Sequence, residues 1–438
     1  MEVSSRRIVT KEGQPVRTKP VSDNEARHPR QLRRANMDRV LAATMGKPGP
    51  LTRAELASAT GLSAPTVGTL AAELVRLGLL RELGRGPSTG GRRPRALRFN
   101  ADFGVVAGIV LESRTTRLAV ADLTGRMLAA TQAETPEDDG PERLLTWMSG
   151  LTRDMLSKAR VPPGRRLLAV TAGLPGAVDH ERGTVVGLMP GFRSWENLAV
   201  GAYLERLVGA PVVVENDVNL AVLGEHWRGA AQGHDTCAFI SLGVGIGAGI
   251  LIGGELHRGH HSLAGEIAVM CMAPEHVARD FGRRGCLETL VGLDVIVRRW
   301  QPEAREDFPR QACRLLEAAR AGDPVALSIF DDAATLVGMA ASHVSLVIDP
   351  SLLVLSGPLV GSGGEMLERV RTVVSQIIPR PPKVVCSILG EQAMLSGSLL
   401  VATQEARGRL RRRLRNSQGR TAEPPGTPEP AGILSATV

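Results

Sequence analysis

A chain of 438 residues with 43% hydrophobic content is long enough for two or three domains and a large core, so it reads as globular. Its five cysteines (Cys237, Cys271, Cys286, Cys313 and Cys386) stand singly and no secretory signal precedes them, which argues against an oxidising compartment and for the cytoplasm. Charge is unevenly shared: residues 1–100 hold 19 Lys or Arg against 8 acids, residues 101–405 hold 27 against 35, and the last 33 residues hold 7 against 2. A basic head on an acidic body is the electrostatic outline of a nucleic-acid reader joined to a different module, although solvated basic tails would give the same count.

Residues 1–28 lack apolar periodicity and are expected to form a disordered basic tail. Residues 29–99 alternate helix patterns with a glycine-rich turn. In "LTRAELASATGLSAPTVGTLAAELVRLGLL" a first helix runs from about Arg53 to Ala59, Gly61 supplies a turn, and Ser63 caps a second helix whose Pro65 sits in the opening turn. Val67, Leu70, Leu74 and Leu77 fall on one face of that helix and are expected to be buried. The opposite face carries Ala64, Pro65, Thr66, Gly68, Thr69 and Arg76, small and hydroxyl-bearing near the helix start, which suits close approach to a major groove. Thr66 and Thr69 are the candidates for base edges, with Arg53, Ser63, Ala64 and Pro65 beside them. Next comes "RELGRGPSTGGRRPRALRF", a strand, a glycine-rich tip and a returning strand, with Arg92, Arg93 and Arg95 placed to meet phosphate or enter a minor groove. Helix-turn-helix shapes also serve as protein interaction modules, but cap, periodicity and basic wing together describe a winged helix-turn-helix that binds double-stranded DNA.

From residue 100 to about 405, short apolar runs ("VVAGIVL", "LLAVTAGLPG", "PVVVEND", "CAFISLGVG", "LLVLSGP") alternate with amphipathic stretches such as "PERLLTWMSGLTRDMLSKA", the pattern of an α/β domain. The uncharged stretch at 237–254 reaches membrane-spanning length, yet its alternating glycines fit a strand or hairpin, and no membrane association is expected. Residues 406–438, Arg-rich and then Pro-rich, read as a second disordered tail.

Several segments resemble the ROK family of repressors and sugar kinases: the "STGGRRP" wing, "GLPGAVD" at 173–179, "ENDVNLA" at 215–221, "LGVGIGAG" at 242–249, "AGEI" at 264–267 and "GCLE" at 285–288. The resemblance implies a two-lobed, actin-like (ribonuclease-H-like) fold over residues 100–405. By its motifs, Asp217 matches the proton-accepting Asp of the kinases, and Asn216, Glu266 and Glu288 match sugar contacts. Helix capping is the structural role open to Asp217, and a salt bridge from Arg283 or Arg284 is the one open to the glutamates.

The departures from the family pattern are as informative. The first phosphate motif, Asp-x-Gly-Gly-Thr, is here "VLESR": Val110 stands for the Asp, Glu112 and Ser113 for the glycines, Arg114 for the Thr. A carboxylate at Glu112 repels phosphate. Val244 replaces the threonine of the second phosphate loop, and "SGP" at 356–358 replaces the glycine pair of the adenosine loop, so binding of ATP and magnesium is expected to be lost. Of the four zinc ligands the family pattern implies, Val269, Arg279 and Phe281 replace three and only Cys286 remains; a different site rebuilt from His260, His261, Cys271, His276 and Cys286 is the alternative, but their irregular spacings fit structural or solvated roles better. Zinc is expected to be absent, with Val269 and Phe281 packing together in its stead. The reading is a DNA-binding repressor, a homodimer or homotetramer on a palindromic operator, with a kinase-dead domain that senses a sugar or related effector. The alternatives are a sugar kinase with an added DNA-binding arm, favoured by Asp217 alone, and a ligand-independent architectural DNA binder.

Overall fold

The computed structural model describes residues 29–416 except 48, 86–94, 138–139, 160, 162–164, 188–192, 306 and 363. They fall into two compact units, one holding the residues up to Phe99 together with those from Leu410 onward, the other Asn100–Arg409. In the first unit, helices α1 (Pro29–Met45), α2 (Arg53–Thr60) and α3 (Ala64–Arg76) precede an antiparallel pair, β1 (Leu80–Arg85) and β2 (Arg95–Phe99). Local chemistry sets the helix ends. Thr52 and Glu55 form a reciprocal capping box at the start of α2, which the sequence reading overlooked, and Gly61 closes α2 at φ 68°, where a side chain would be strained. Ser63 caps α3. Val67, Leu70, Ala71 and Leu74 are buried with Val40, Leu41 and Leu56 of the neighbouring helices. Leu77 departs from expectation: it is only half-buried, because it is the C-cap of α3 and lies past its last turn.

The second unit repeats one wiring twice. In the first lobe β3 (Gly104–Leu111), β4 (Thr115–Asp122) and β5 (Met127–Glu134) form an antiparallel meander, and β6 (Arg166–Leu174) and β9 (Val212–Asn216) extend it in parallel, giving the order β5-β4-β3-β6-β9. Between these last two a small ladder of β7 (Ala177–Asp179) and β8 (Thr184–Gly187) intervenes in the chain. The second lobe runs β12-β11-β10-β13-β14, from β10 (Cys237–Leu242), β11 (Ile246–Ile252) and β12 (Glu255–Leu256) to the parallel β13 (Leu352–Ser356) and β14 (Lys383–Cys386). This duplication is the actin-like fold. The stretch at 237–254 is the β10–β11 hairpin, with Ile240 opposite Ala248.

The helices are α4 (Pro141–Lys158), α5 (Val200–Val208) and α6 (Asp217–Arg228), then α7 (Cys286–Val291), α8 (Leu293–Trp300), α9 (Phe308–Arg320), α10 (Pro324–Ile348), α11 (Pro358–Gly361), α12 (Glu365–Ile377) and α13 (Gln392–Asn416). The apolar runs are unbroken because the second sheet is covered on both faces. Ala238, Ile240, Leu353 and Leu355 face the core of α8, α9, α10 and α12, whereas Cys237, Phe239, Leu352 and Val354 pack against Val218, Ala221 and Val222 of α6. Helix α10 is long and apolar enough to cross a membrane, and it runs through the former core, where more than half of its apolar window is buried.

The expected disorder from 406 onward is corrected: α13 continues to Asn416, and residues 417–438 lie outside the described set. From Leu410 its last turns belong with the first unit, where Arg411 donates to both oxygens of the buried Asp38, at 2.7 and 3.1 Å. The arginines that looked like a solvated tail are thus partly structural.

Candidate functional site

In the first unit the start of α3 offers Ala64, Pro65 and Thr69 to solvent, with Thr66 half-buried. The Ser63 hydroxyl accepts from the Thr66 amide at 3.3 Å and lies 2.8 Å from the Thr66 hydroxyl, and Thr69 donates to the Pro65 carbonyl at 3.2 Å. These hydroxyls stand on a pinned helix turn. Arg53 and Arg95 are less free than the sequence suggested, since both bind the Glu82 carboxylate on β1, Arg95 at 3.0 Å. Arg92 and Arg93 lie outside the described residues.

In the second unit the strand ends open into a cavity of about 1090 Å³. Glu112 just beyond β3, Asn216 at the end of β9, Asp217 at the start of α6, Glu266, and Glu288 on α7 all line it, as do Val244 and Gly357, which lie in the segments that resemble the family's nucleotide motifs. The sequence candidates for sugar contact therefore converge. Helix capping falls to Asn216, whose side-chain oxygen accepts from the Asn219 amide at 2.9 Å while its amide nitrogen donates to the Gly176 carbonyl at 3.0 Å. That corrects the capping role weighed for Asp217. Its carboxylate, one residue further on, accepts from the Val218 amide at 2.8 Å and lines the cavity. Gly265 positions Glu266: at φ 89° its backbone passes so close to β11 that a methyl group would strike the Ala248 carbonyl.

Burial first, and the facing Glu112 charge second, push Asp217 up to about 8. Burial and then Glu288 push Glu266 up to about 7. Glu112 is also raised by burial, against the pull of Arg117, which bonds it and reaches Glu391 at 2.7 Å. Arg284 supplies the expected salt bridge: it donates to Glu288 at 3.1 Å and to Asp294 at 2.7 Å, and Glu288 also accepts from the Ile246 amide at 3.0 Å, while the Arg283 side chain lies outside the described set. Beneath the site lies a residue that sequence reasoning missed. Glu215, fully buried, binds Arg258 at 2.8 Å, the Asn219 side chain at 3.0 Å and the Asn216 amide at 3.0 Å. A charge at the end of the apolar run "PVVVE" was the available signal.

The family's zinc position does not fit a metal. Cys286 lies 3.2 Å from His276 Nδ1, and among the described residues no group of three or more Cys, His, Asp or Glu is placed to hold an ion. The expected packing of Val269 against Phe281 is corrected too: Val269 is 46% exposed, and Phe281 meets His276 edge to face at 5.7 Å under the Arg279 guanidinium.

The ROK family pattern matches residues 106–405, and the MarR family pattern matches residues 39–93. The chain belongs to the ROK family. It is 27% identical over 337 residues to a xylose repressor of Caldicellulosiruptor bescii, covering 74% of this chain and 84% of that one. It is 30% identical over 323 residues to a glucokinase of Streptomyces coelicolor, covering 69% of this chain and 98% of the relative. Among solved structures, a ROK family transcriptional regulator described as a homologue of the E. coli MLC protein covers 88% of this chain and all of its own, with a TM-score of 0.70 at 24% identity. A ROK glucokinase from Streptomyces griseus, solved with glucose and AMPPNP, superposes on 69% of this chain and all of its own with a TM-score of 0.57 at 29% identity. A MarR-type winged-helix segment and a ROK domain are thus joined in one chain.

Proposed function

We propose that this ROK protein is a cytoplasmic, DNA-binding transcriptional repressor whose ROK domain binds a sugar-like effector and transfers no phosphate. The observation that carries the reading is the exposed, capped start of α3 in a helix-turn-helix that runs on into the β1–β2 pair, joined in one chain to a cavity in which Glu112 stands at the match to the family's phosphate motif. Small side chains at Ala64, Pro65, Thr66 and Thr69 let the helix enter a major groove, and a two-fold oligomer places two such helices on a palindromic operator. Selection of bound genomic fragments by the full chain tests this; recovery of no enriched sequence overturns it. Replacing Arg92 and Arg93 together by alanine is expected to weaken binding to every sequence and to lower the slope of log affinity against log salt by about 1.8, near 0.9 per phosphate contact. An unchanged slope removes the wing from the interface.

Neither nucleotide nor zinc has a place in this reading. Val110, Glu112 and Val244 stand where the kinases of the family grip phosphate, and Val269, Arg279 and Phe281 offer no metal donors. Elemental analysis of the purified protein is expected to find no stoichiometric zinc. A coupled assay with ATP and a sugar panel is expected to show no turnover; turnover that vanishes in Asp217→Asn would establish the kinase reading, which the position of Asp217 in the cavity favours.

The raised carboxyl of Asp217 also makes a stability prediction. A carboxyl group whose folded pKa lies above its unfolded one binds more protons folded than unfolded, so it costs stability from about pH 4 upward and increasingly to about pH 8. Asp217→Asn removes that cost. The variant is expected to be more stable than the parent by roughly 1–3 kcal/mol at pH 7.5 and equal to it near pH 4, read from urea melts, while losing its effector response.

A further inference from the structure

We propose that the cavity recognises a protonated amine seated between Glu112 and Asp217, so that the effector is an amino sugar or a similar polyhydroxylated primary amine. This rests on the reading of the cavity as an effector site and names the class of ligand it takes.

The cavity is lined by more carboxylates than its own cations balance. Glu112 and Glu288 have guanidinium partners in Arg117 and Arg284, but Asp217 and Glu266 have no cationic partner among the described residues. Arg117 cannot turn to help, since its two terminal nitrogens are engaged by Glu112 and Glu391. A neutral hydroxyl brings no charge, so beside it Asp217 keeps its proton rather than stand ionised opposite Glu112 in a partly dry cavity. An ammonium group supplies three donors and the missing positive charge, and charge-assisted hydrogen bonds to two carboxylates exceed what a hydroxyl obtains there. Glu112 is the residue that departs from the glycine of the phosphate motif, so the charge that closes the site to phosphate is the one that opens it to a cation. Asp217 faces Glu112 and Glu266, Glu112 faces Arg117 and Glu391, and Glu266 faces Glu288. Seating an ammonium group therefore drives Asp217 to its ionised form and releases a proton.

The test is calorimetry on the full chain at pH 7 with glucosamine, galactosamine, N-acetylglucosamine, glucose, xylose and magnesium chloride as probes, each in two buffers of different ionisation enthalpy. Expected is binding of at least one free amino sugar about tenfold or more tighter than its acetylated or hydroxyl counterpart, with release approaching one proton per site. Glu112→Gln is expected to collapse that ratio towards one, a readout that a general loss of folding would not give. Equal affinity for amine and hydroxyl probes, or binding without proton release, overturns the amine while leaving the effector site standing. Binding of magnesium in competition with the amines overturns it in favour of an inorganic cation. If no probe binds, the amine proposal falls; if Asp217→Asn then still releases DNA in a cell extract that relieves DNA binding of the parent, the effector-site reading falls with it.

Discussion

Replacing Arg284 with alanine is expected to destabilise the ROK domain by about 3–5 kcal/mol at pH 7, the usual result of removing one partner from a buried ion pair. Arg284 binds Glu288 and Asp294, which are 7% and 6% exposed, and it also donates to the Val244 carbonyl at 3.2 Å. Without it, the only cation left to the two buried carboxylates among the described residues is Arg298, beside backbone amides such as that of Ile246. The pH dependence identifies the cause. Burial works to raise Asp294, but Arg284 overcomes it and holds the carboxyl below its ordinary range, so in the parent this stability is present above about pH 4 and is lost only as pH falls through the lowered value. In the variant both carboxyls rise and take up protons on folding, so the deficit narrows between pH 7 and pH 5. Urea melts at the two pH values measure it. Arg284→Lys is expected to recover only part of the loss, because an ammonium cannot reproduce a guanidinium that spans two carboxylates and a carbonyl. A deficit below about 1 kcal/mol, or one independent of pH, would mean that these acids are solvated.

Much of this site was readable in the sequence because its parts are local. The "ENDVNLA", "AGEI" and "GCLE" motifs each put a carboxylate at a strand or helix end, and strand ends of one α/β sheet open on one side. Ser63, Gly61 and the spacing of Val67, Leu70 and Leu74 likewise specify α2 and α3 within a dozen residues. What stayed hidden are pairings across long stretches of chain. Glu215 meets Arg258 43 residues away, Glu225 accepts from Ser387 162 residues away, and Asp38 binds Arg411 373 residues away. No periodicity announces such a partner, so Arg411 read as part of a disordered tail and Arg53 as a free DNA contact, when each has a carboxylate to bind. The Glu112–Asp217 pair was hidden for a further reason. The sequence gives Glu112 as a group that repels phosphate, but only the fold brings it opposite a second acid.

The crossing of α6 and α13 depends on glycine at two positions one turn apart on facing helices, and Gly397→Ala is expected to cost about 2–3 kcal/mol. A methyl group at Gly397 would fall on the Leu220 carbonyl, and one at Gly224 on the Ala393 carbonyl; in each case the obstacle is backbone, which cannot rotate aside. Relief requires α6 and α13 to part. That movement strains the bonds from Ser387 and the Leu389 amide to Glu225, and it displaces Asp217 at the head of α6. Gly150→Ala is the control, for Gly150 lies within α4 with nothing near its would-be methyl group, and there alanine is expected to be neutral or to stabilise by up to about 1 kcal/mol through helix propensity. The two substitutions make the same chemical change, so their difference in a urea melt isolates close approach. If Gly397→Ala melts with the parent, the helices do not touch backbone to backbone, and the placement of Asp217 owes nothing to their crossing.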